Sequence, residues 1–94
     1  MAFDKLRPNG SLVKTRLLFF GRLAEQVGRE REVEIPDTGC TIGVLRAKLA
    51  EDPELEMLAP GRGMLTSVDQ EIVQDDAHVM PGQEVAFFSP LSGG

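Results

Sequence analysis

One stretch of this chain, Ile42 to about Glu51, carries an apolar helical stripe long enough to cover a sheet, and the rest must be arranged around it. Ile42, Leu45 and Leu49 recur at i, i+3 and i+7, which puts them on one helix face. Thr41 stands at the N-cap position. Val44 is neither Glu nor Gln, so no capping box forms. The flanking runs alternate with a period of two. In Leu12–Phe20, Val13, Thr15, Leu17 and Phe19 share one parity, and Lys14, Arg16, Leu18 and Phe20 the other. This second face starts charged and ends apolar. In Arg29–Ile35, Val33 and Ile35 point inward while Glu32 and Glu34 point outward, the pattern of a half-exposed antiparallel strand.

Shorter signals fill the gaps. Arg22–Val27 reads as a short helix with Gly28 as its C-cap. Asp52 as cap and Pro53 as first helical residue start a second short helix through Leu58. Pro60-Gly61-Arg62-Gly63 is a turn. Met64–Asp69 and Ile72-Val73 read as strands, followed by a solvated turn at Gln74-Asp75-Asp76. Met80-Pro81-Gly82-Gln83 has the Pro-Gly centre of a type II turn, and Glu84–Ser89 is the last strand. One principal helix among several strands implies an α+β domain, the helix lying on one face of a mixed sheet. Leu17, Phe19, Val33, Ile35, Ile42, Leu45, Leu49, Val68, Val85 and Phe87 are expected in the core. Residues 1–11, with the Pro8-Asn9-Gly10-Ser11 breaker cluster, are expected to form a flexible arm, residues 12–90 the domain, and residues 91–94 a flexible tail.

The 94 residues suffice for one domain. A net charge of −5, from 15 acidic and 10 basic residues, argues against nucleic acid, which needs a basic face. No apolar run approaches the ~20 residues of a membrane span, and the first residues lack a signal-peptide core, so a cytoplasmic protein is expected. The single cysteine, Cys40, excludes an internal disulfide, a four-cysteine metal site and a plant-type iron–sulfur centre. His78 has no co-ligand and reads as a surface histidine; no metal is expected. Cys40 precedes a helix N-terminus, which lowers a thiol pKa, but no base is placed to activate it. Gly61-Arg62-Gly63 is only a fragment of a phosphate loop. Chemistry therefore falls to the end of the chain: Phe87-Phe88-Ser89 closes a strand, Pro90 breaks the ladder, and Leu91-Ser92-Gly93-Gly94 leads to a terminal carboxylate. Two glycines, having no side chains, let that tip enter a narrow channel.

Four blocks carry a family resemblance: Leu17-Leu18-Phe19-Phe20-Gly21-Arg22-Leu23, Thr41-Ile42-Gly43-Val44-Leu45-Arg46, Gly82-Gln83-Glu84-Val85-Ala86-Phe87-Phe88-Ser89-Pro90, and Leu91-Ser92-Gly93-Gly94. Over Lys14 to Gly94 the chain resembles the small subunit of molybdopterin synthase (the MoaD group of ubiquitin-like sulfur carriers). It departs from the usual family pattern at Asp69, where Asn is common, and at Ser89, where a first proline is common. The resemblance implies a β-grasp fold. It also implies that an ATP-dependent adenylyltransferase activates the Gly94 carboxylate, that a sulfur donor protein converts it to a thiocarboxylate, and that the tail, threaded through Gly93, delivers sulfur inside the synthase large subunit. No cofactor is expected on the chain itself; ATP is used by the activating enzyme.

In a β-grasp sheet the first and last strands are parallel neighbours, so Phe20 and Phe88, both of outer parity, are expected side by side. Ile72 would extend this patch, and Pro90 and Leu91 would lead from it into the tail. The competing expectation is that these side chains complete the core. Three alternatives for function stand beside the first: a sulfur carrier for thiamine or cysteine synthesis, a ubiquitin-like modifier joined to lysines, and an interaction module.

Overall fold

The computed structural model describes residues 11–90. In chain order they form β1 (Leu12–Phe19), α1 (Arg22–Val27), β2 (Glu30–Pro36), β3 (Cys40–Thr41), α2 (Ile42–Leu49), a 3₁₀ helix (Pro53–Leu58), β4 (Leu65–Val68), β5 (Glu71–Val73), β6 (His78–Val79) and β7 (Val85–Phe88). Five strands make one mixed sheet in the order β2-β1-β7-β4-β5, and β3 pairs with β6 in a separate two-stranded ribbon. β1 and β7 run parallel at its centre, with Leu17 opposite Val85 and Phe19 opposite Phe87. The other pairs are antiparallel.

The stripe on α2 packs as its spacing predicts. Ile42 and Leu45 are fully buried and Leu49 nearly so, against Leu17, Phe19, Ile35, Val85 and Phe87 of the sheet. The Thr41 hydroxyl accepts a hydrogen bond from Val44 N–H at 3.2 Å, capping the helix. Asp52 caps the following segment by accepting from Glu54 N–H at 2.9 Å, but that segment is a 3₁₀ helix with a kink at Leu55. It closes one end of the core with Leu55 and Leu58.

Several expectations need correction. Val33 is half-buried, because β2 is an edge strand and its inner parity lies at the margin of the helix layer. Asp75 is not simply solvated: its carboxylate takes an ion pair at 3.0 Å from Arg46, whose side chain is only 7% exposed. Arg46 also donates to the carbonyls of Leu58 and Ala59, at 2.7 and 3.2 Å. One buried guanidinium thus ties α2 to the 3₁₀ helix and to the loop before β6. That loop in turn caps α2, since Ile42 N–H donates to Ala77 C=O and Gly43 N–H to Asp75 C=O, each at 2.8 Å.

The β4–β5 connection is a two-residue hairpin turn. Asp69 and Gln70 both have positive φ, 51° and 71°, as the type I′ turn demands. The Asp69 carboxylate accepts from Glu84 N–H at 3.0 Å and from the Gln83 side-chain amide at 2.8 Å. These bonds, foremost the one from Glu84, hold its pKa below the usual carboxylate value.

Candidate functional site

The register of the sheet decides what its outer face presents. Leu17, Phe19, Val85 and Phe87 point inward to α2, so Leu18, Phe20, Ala86 and Phe88 point outward. Across β4 and β5 the outward positions are Leu65, opposite Phe88, and Ser67, opposite Ala86 and Ile72. Two rows result. One runs Leu18, Ala86, Ser67, Ile72; the next holds Phe20, Phe88 and Leu65. Phe20 N–H donates to Phe87 C=O at 3.3 Å, which carries the β1–β7 register one residue further and places Phe20 beside Phe88.

No described helix covers this face. Ile72 is 65% exposed and Phe20 51%; Phe88, Leu18 and Leu65 are half-buried. Ala86 and Ser67 are small and buried between them, so the centre is a shallow floor with apolar side chains around it. The face spans three strand spacings from Phe20 to Ile72, about 14 Å. Below it the same parity turns ionic: Arg16 meets Glu30 at 3.6 Å and Lys14 meets Glu32 at 3.9 Å. Beside it a notch of about 730 Å³ opens between Phe20, Gly21, Ala24 and Arg29. An apolar sheet face exposed at Phe20 and Ile72 is a candidate for contact with a partner.

Pro90, exposed, follows at the end of β7 and ends the ladder two residues past Phe88. Leu91, Gly93 and Gly94 lie outside the described residues. The structure thus brings Phe20 and Phe88 together and sets Ile72 on the same face, separated from Phe88 by β4. Leu65 fills that gap and was missed by the sequence reading, as was the part played by Leu18. Each was signalled by parity alone, Leu18 by its place two residues before Phe20 and Leu65 by its place opposite the last strand.

The remaining candidates give no reactive centre. Cys40 pairs with Val79 in the β3–β6 ribbon, and burial pushes its thiol pKa up, opposite to the effect expected of a helix N-terminus. His78 is exposed, its Nε2 2.9 Å from the Thr38 carbonyl. Among the described residues no group of acidic, His and Cys side chains is arranged to hold a metal ion, and no helix is long and apolar enough to cross a membrane.

Comparison with known proteins fits this geometry. Residues 17–94 match the ThiS family. The molybdopterin synthase sulfur carrier subunit of Escherichia coli is 35% identical over 80 residues, covering 84% of this chain and 98% of that protein. The chain belongs to the ThiS family. The subunit of the same name from Haemophilus influenzae is 30% identical, over 83% of this chain and 96% of that one. Small archaeal modifier protein 1 of Haloferax volcanii shares the fold with a TM-score of 0.65 at 26% identity, covering 83% of this chain and 98% of that structure. The resemblance to the molybdopterin synthase small subunit and the ubiquitin-like β-grasp fold are both borne out.

Proposed function

We propose that this chain is the sulfur carrier of a molybdopterin synthase, working through the Gly94 carboxylate and docking through the outer face of its sheet. The observation that carries the reading is the course of β7. The strand passes between Phe20 and Leu65, ends its apolar outer parity at Phe88, and hands the chain through Pro90 directly to Leu91-Ser92-Gly93-Gly94. A partner seated on Phe20, Phe88, Leu65 and Ile72 would therefore hold the start of the tail in place. Each such side chain, once covered, contributes up to ~1.5–3 kcal/mol, which offsets the entropy lost when a chain segment is ordered in a partner. The kinship with a molybdopterin synthase subunit makes the synthase large subunit the expected partner.

The chemistry follows from the terminus. A carboxylate with pKa near ~3.5 is ionised at neutral pH and resists nucleophiles. Its oxygen attacks the α-phosphate of ATP on the activating enzyme, releasing pyrophosphate and leaving an acyl-adenylate. A persulfide sulfur on a donor protein displaces AMP to give an acyl disulfide, and a second thiol cleaves its S–S bond, so the donor cysteine leaves in a new disulfide and the terminal sulfur stays on Gly94 as the thiocarboxylate. That sulfur is then transferred within the synthase large subunit, and hydrolysis restores the carboxylate. Gly93 and Gly94 supply only slenderness and reach; adenylation and charge stabilisation belong to the partners.

The kinship in fold with an archaeal modifier keeps lysine conjugation as the second reading. Mass spectrometry of the protein from its host separates the two. A species heavier by the difference between one sulfur and one oxygen, located at Gly94, supports the carrier; isopeptide conjugates through Gly94 support the modifier. Removing Gly94 should leave the fold intact and abolish sulfur loading, and a truncated chain that still accepts sulfur refutes the assignment.

A further inference from the structure

The five-stranded sheet has two free edges, and one of them is long enough to receive another chain. β5 is three residues long, whereas β2 runs seven residues, Glu30–Pro36, in unbroken register with β1. Phe19 N–H donates to Arg29 C=O, and Asp37 N–H to Ser11 C=O, both at 2.9 Å. In an antiparallel ladder these bonds alternate, so odd-numbered residues of β2 bond to β1 while the N–H and C=O groups of Glu30, Glu32 and Glu34 face away from the sheet. Pro36 obeys the same rule, because the N–H it lacks would point outward. Among the described residues, no other segment bonds to the outward-facing groups.

The surroundings of this edge are acidic on both faces. Glu30, Glu32 and Glu34 stand exposed on the outer face. On the inner face Arg31 reaches Glu54 at 2.6 Å and Asp52 at 3.4 Å, which places two more carboxylates beneath the strand. Four cations, Lys14, Arg16, Arg29 and Arg31, stand against these five carboxylates. Lys14 and Arg16 make only long contacts, 3.9 and 3.6 Å, between side chains more than half exposed. Among the described residues, Glu34 has no ion-pair partner.

We propose that the free edge of β2 is a strand-addition site for an extended, lysine- or arginine-rich segment of a partner protein. Such a segment would continue the ladder through the outward groups of Glu30, Glu32 and Glu34. Its side chains opposite them would lie about 4.5–5.5 Å away at Cβ, within reach of an ion pair. The same row of carboxylates rejects a second copy of this chain. Two β2 strands meeting antiparallel through these edges set even-numbered residues against even-numbered ones in every register, so carboxylate faces carboxylate. The site uses neither the apolar outer face nor the tail, and stands or falls separately from the sulfur-carrier reading.

The test uses the full chain and a fluorescein-labelled peptide of alternating lysine and valine, titrated by fluorescence anisotropy at low salt and mapped by ¹⁵N NMR. Saturable binding is expected, with amide shifts concentrated in Glu30–Pro36 and slowed exchange of the Glu30, Glu32 and Glu34 amides. Replacing those three residues by Gln should weaken binding at least about tenfold. Glu32→Pro removes an outward N–H that no internal bond uses, so the fold should persist by circular dichroism while binding again falls at least about tenfold. Unchanged affinity in Glu32→Pro would reduce the interaction to charge alone and overturn the proposal. So would shifts centred on Phe20 and Phe88, or slow exchange of the three amides in the free chain, which would mean that residues 1–10 or a second copy already occupy the edge.

Discussion

Replacing Phe87 by alanine separates the two faces of β7, because its neighbour Phe88 has the opposite parity. Phe87 is fully buried on a central strand, opposite Phe19 on one side and Thr66 on the other. Its ring stacks on that of Phe19 with centroids 6.0 Å apart and planes 22° apart. Truncating a phenylalanine so enclosed costs about 3–5 kcal/mol, of which about 0.5–1.5 comes from the ring pair. A domain of this length has a total stability of about 5–14 kcal/mol, so roughly a fifth or more is lost. At about 4–8 °C per kcal/mol for this size, the Tm should fall by about 12–40 °C. The chain has no Trp and no Tyr, so unfolding in guanidinium is best followed by far-ultraviolet circular dichroism. The matched variant is Phe20→Ser, chosen because Phe20 is half exposed whereas Phe88 is partly covered. It should keep its Tm within a few degrees and weaken binding to the synthase large subunit at least ~30-fold, equivalent to ~2 kcal/mol. A Phe87→Ala variant that loses less than about 1 kcal/mol would refute the account of the core. A Phe20→Ser variant that unfolds, or binds unchanged, would refute the docking face.

The remaining predictions concern single residues. Asp69 has its folded pKa held below the ordinary value of 3.8; its contribution to stability is therefore complete above that value and is lost as pH falls through the lower folded pKa. Asp69→Asn should flatten the acid limb of a stability–pH curve, and an unchanged limb would show that the bonds to Glu84 and Gln83 add nothing. Gly39 sits at φ +84°, and a Cβ there would collide with the Val79 carbonyl oxygen, so Gly39→Ala should lose at least the ~1–3 kcal/mol of backbone strain; a neutral denaturation midpoint would exclude this conformation. Gln70→Gly should raise stability by ~1 kcal/mol, because glycine adopts its φ of 71° without strain. Arg46→Met removes donors to Leu58 and Ala59 and leaves Asp75 unpaired; a loss of ~2–3 kcal/mol is expected in the same denaturation assay.

What the sequence disclosed was whatever local periodicity controls. The parity of β1 and β7, the stripe on α2 and the caps at Thr41 and Asp52 need only neighbours along the chain, and all stand as read. Sheet order depends on pairings between distant segments, and only the family resemblance supplied it. The β3–β6 ribbon was invisible because two residues show no period, although Val79 is fully buried there. Arg46 shows how a type-based habit hides a signal that is present. It lies four residues after Ile42 and three before Leu49, squarely on the buried stripe, yet arginine is ordinarily assigned to solvent. Its partner Asp75 is 29 residues away and gives no local hint. The docking face has the converse difficulty. Parity put Phe20, Phe88 and Ile72 outside, but parity cannot say whether something else in the fold covers them. Leu12 and Val13 make the point: of opposite parity at the start of β1, both are substantially exposed, because burial there is decided by where the layer of helices ends. At the other end of the sheet the same geometry leaves an apolar surface uncovered beside the strand that carries the tail. That coincidence, and not the presence of phenylalanine as such, makes Phe20 and Phe88 candidates for contact with a partner.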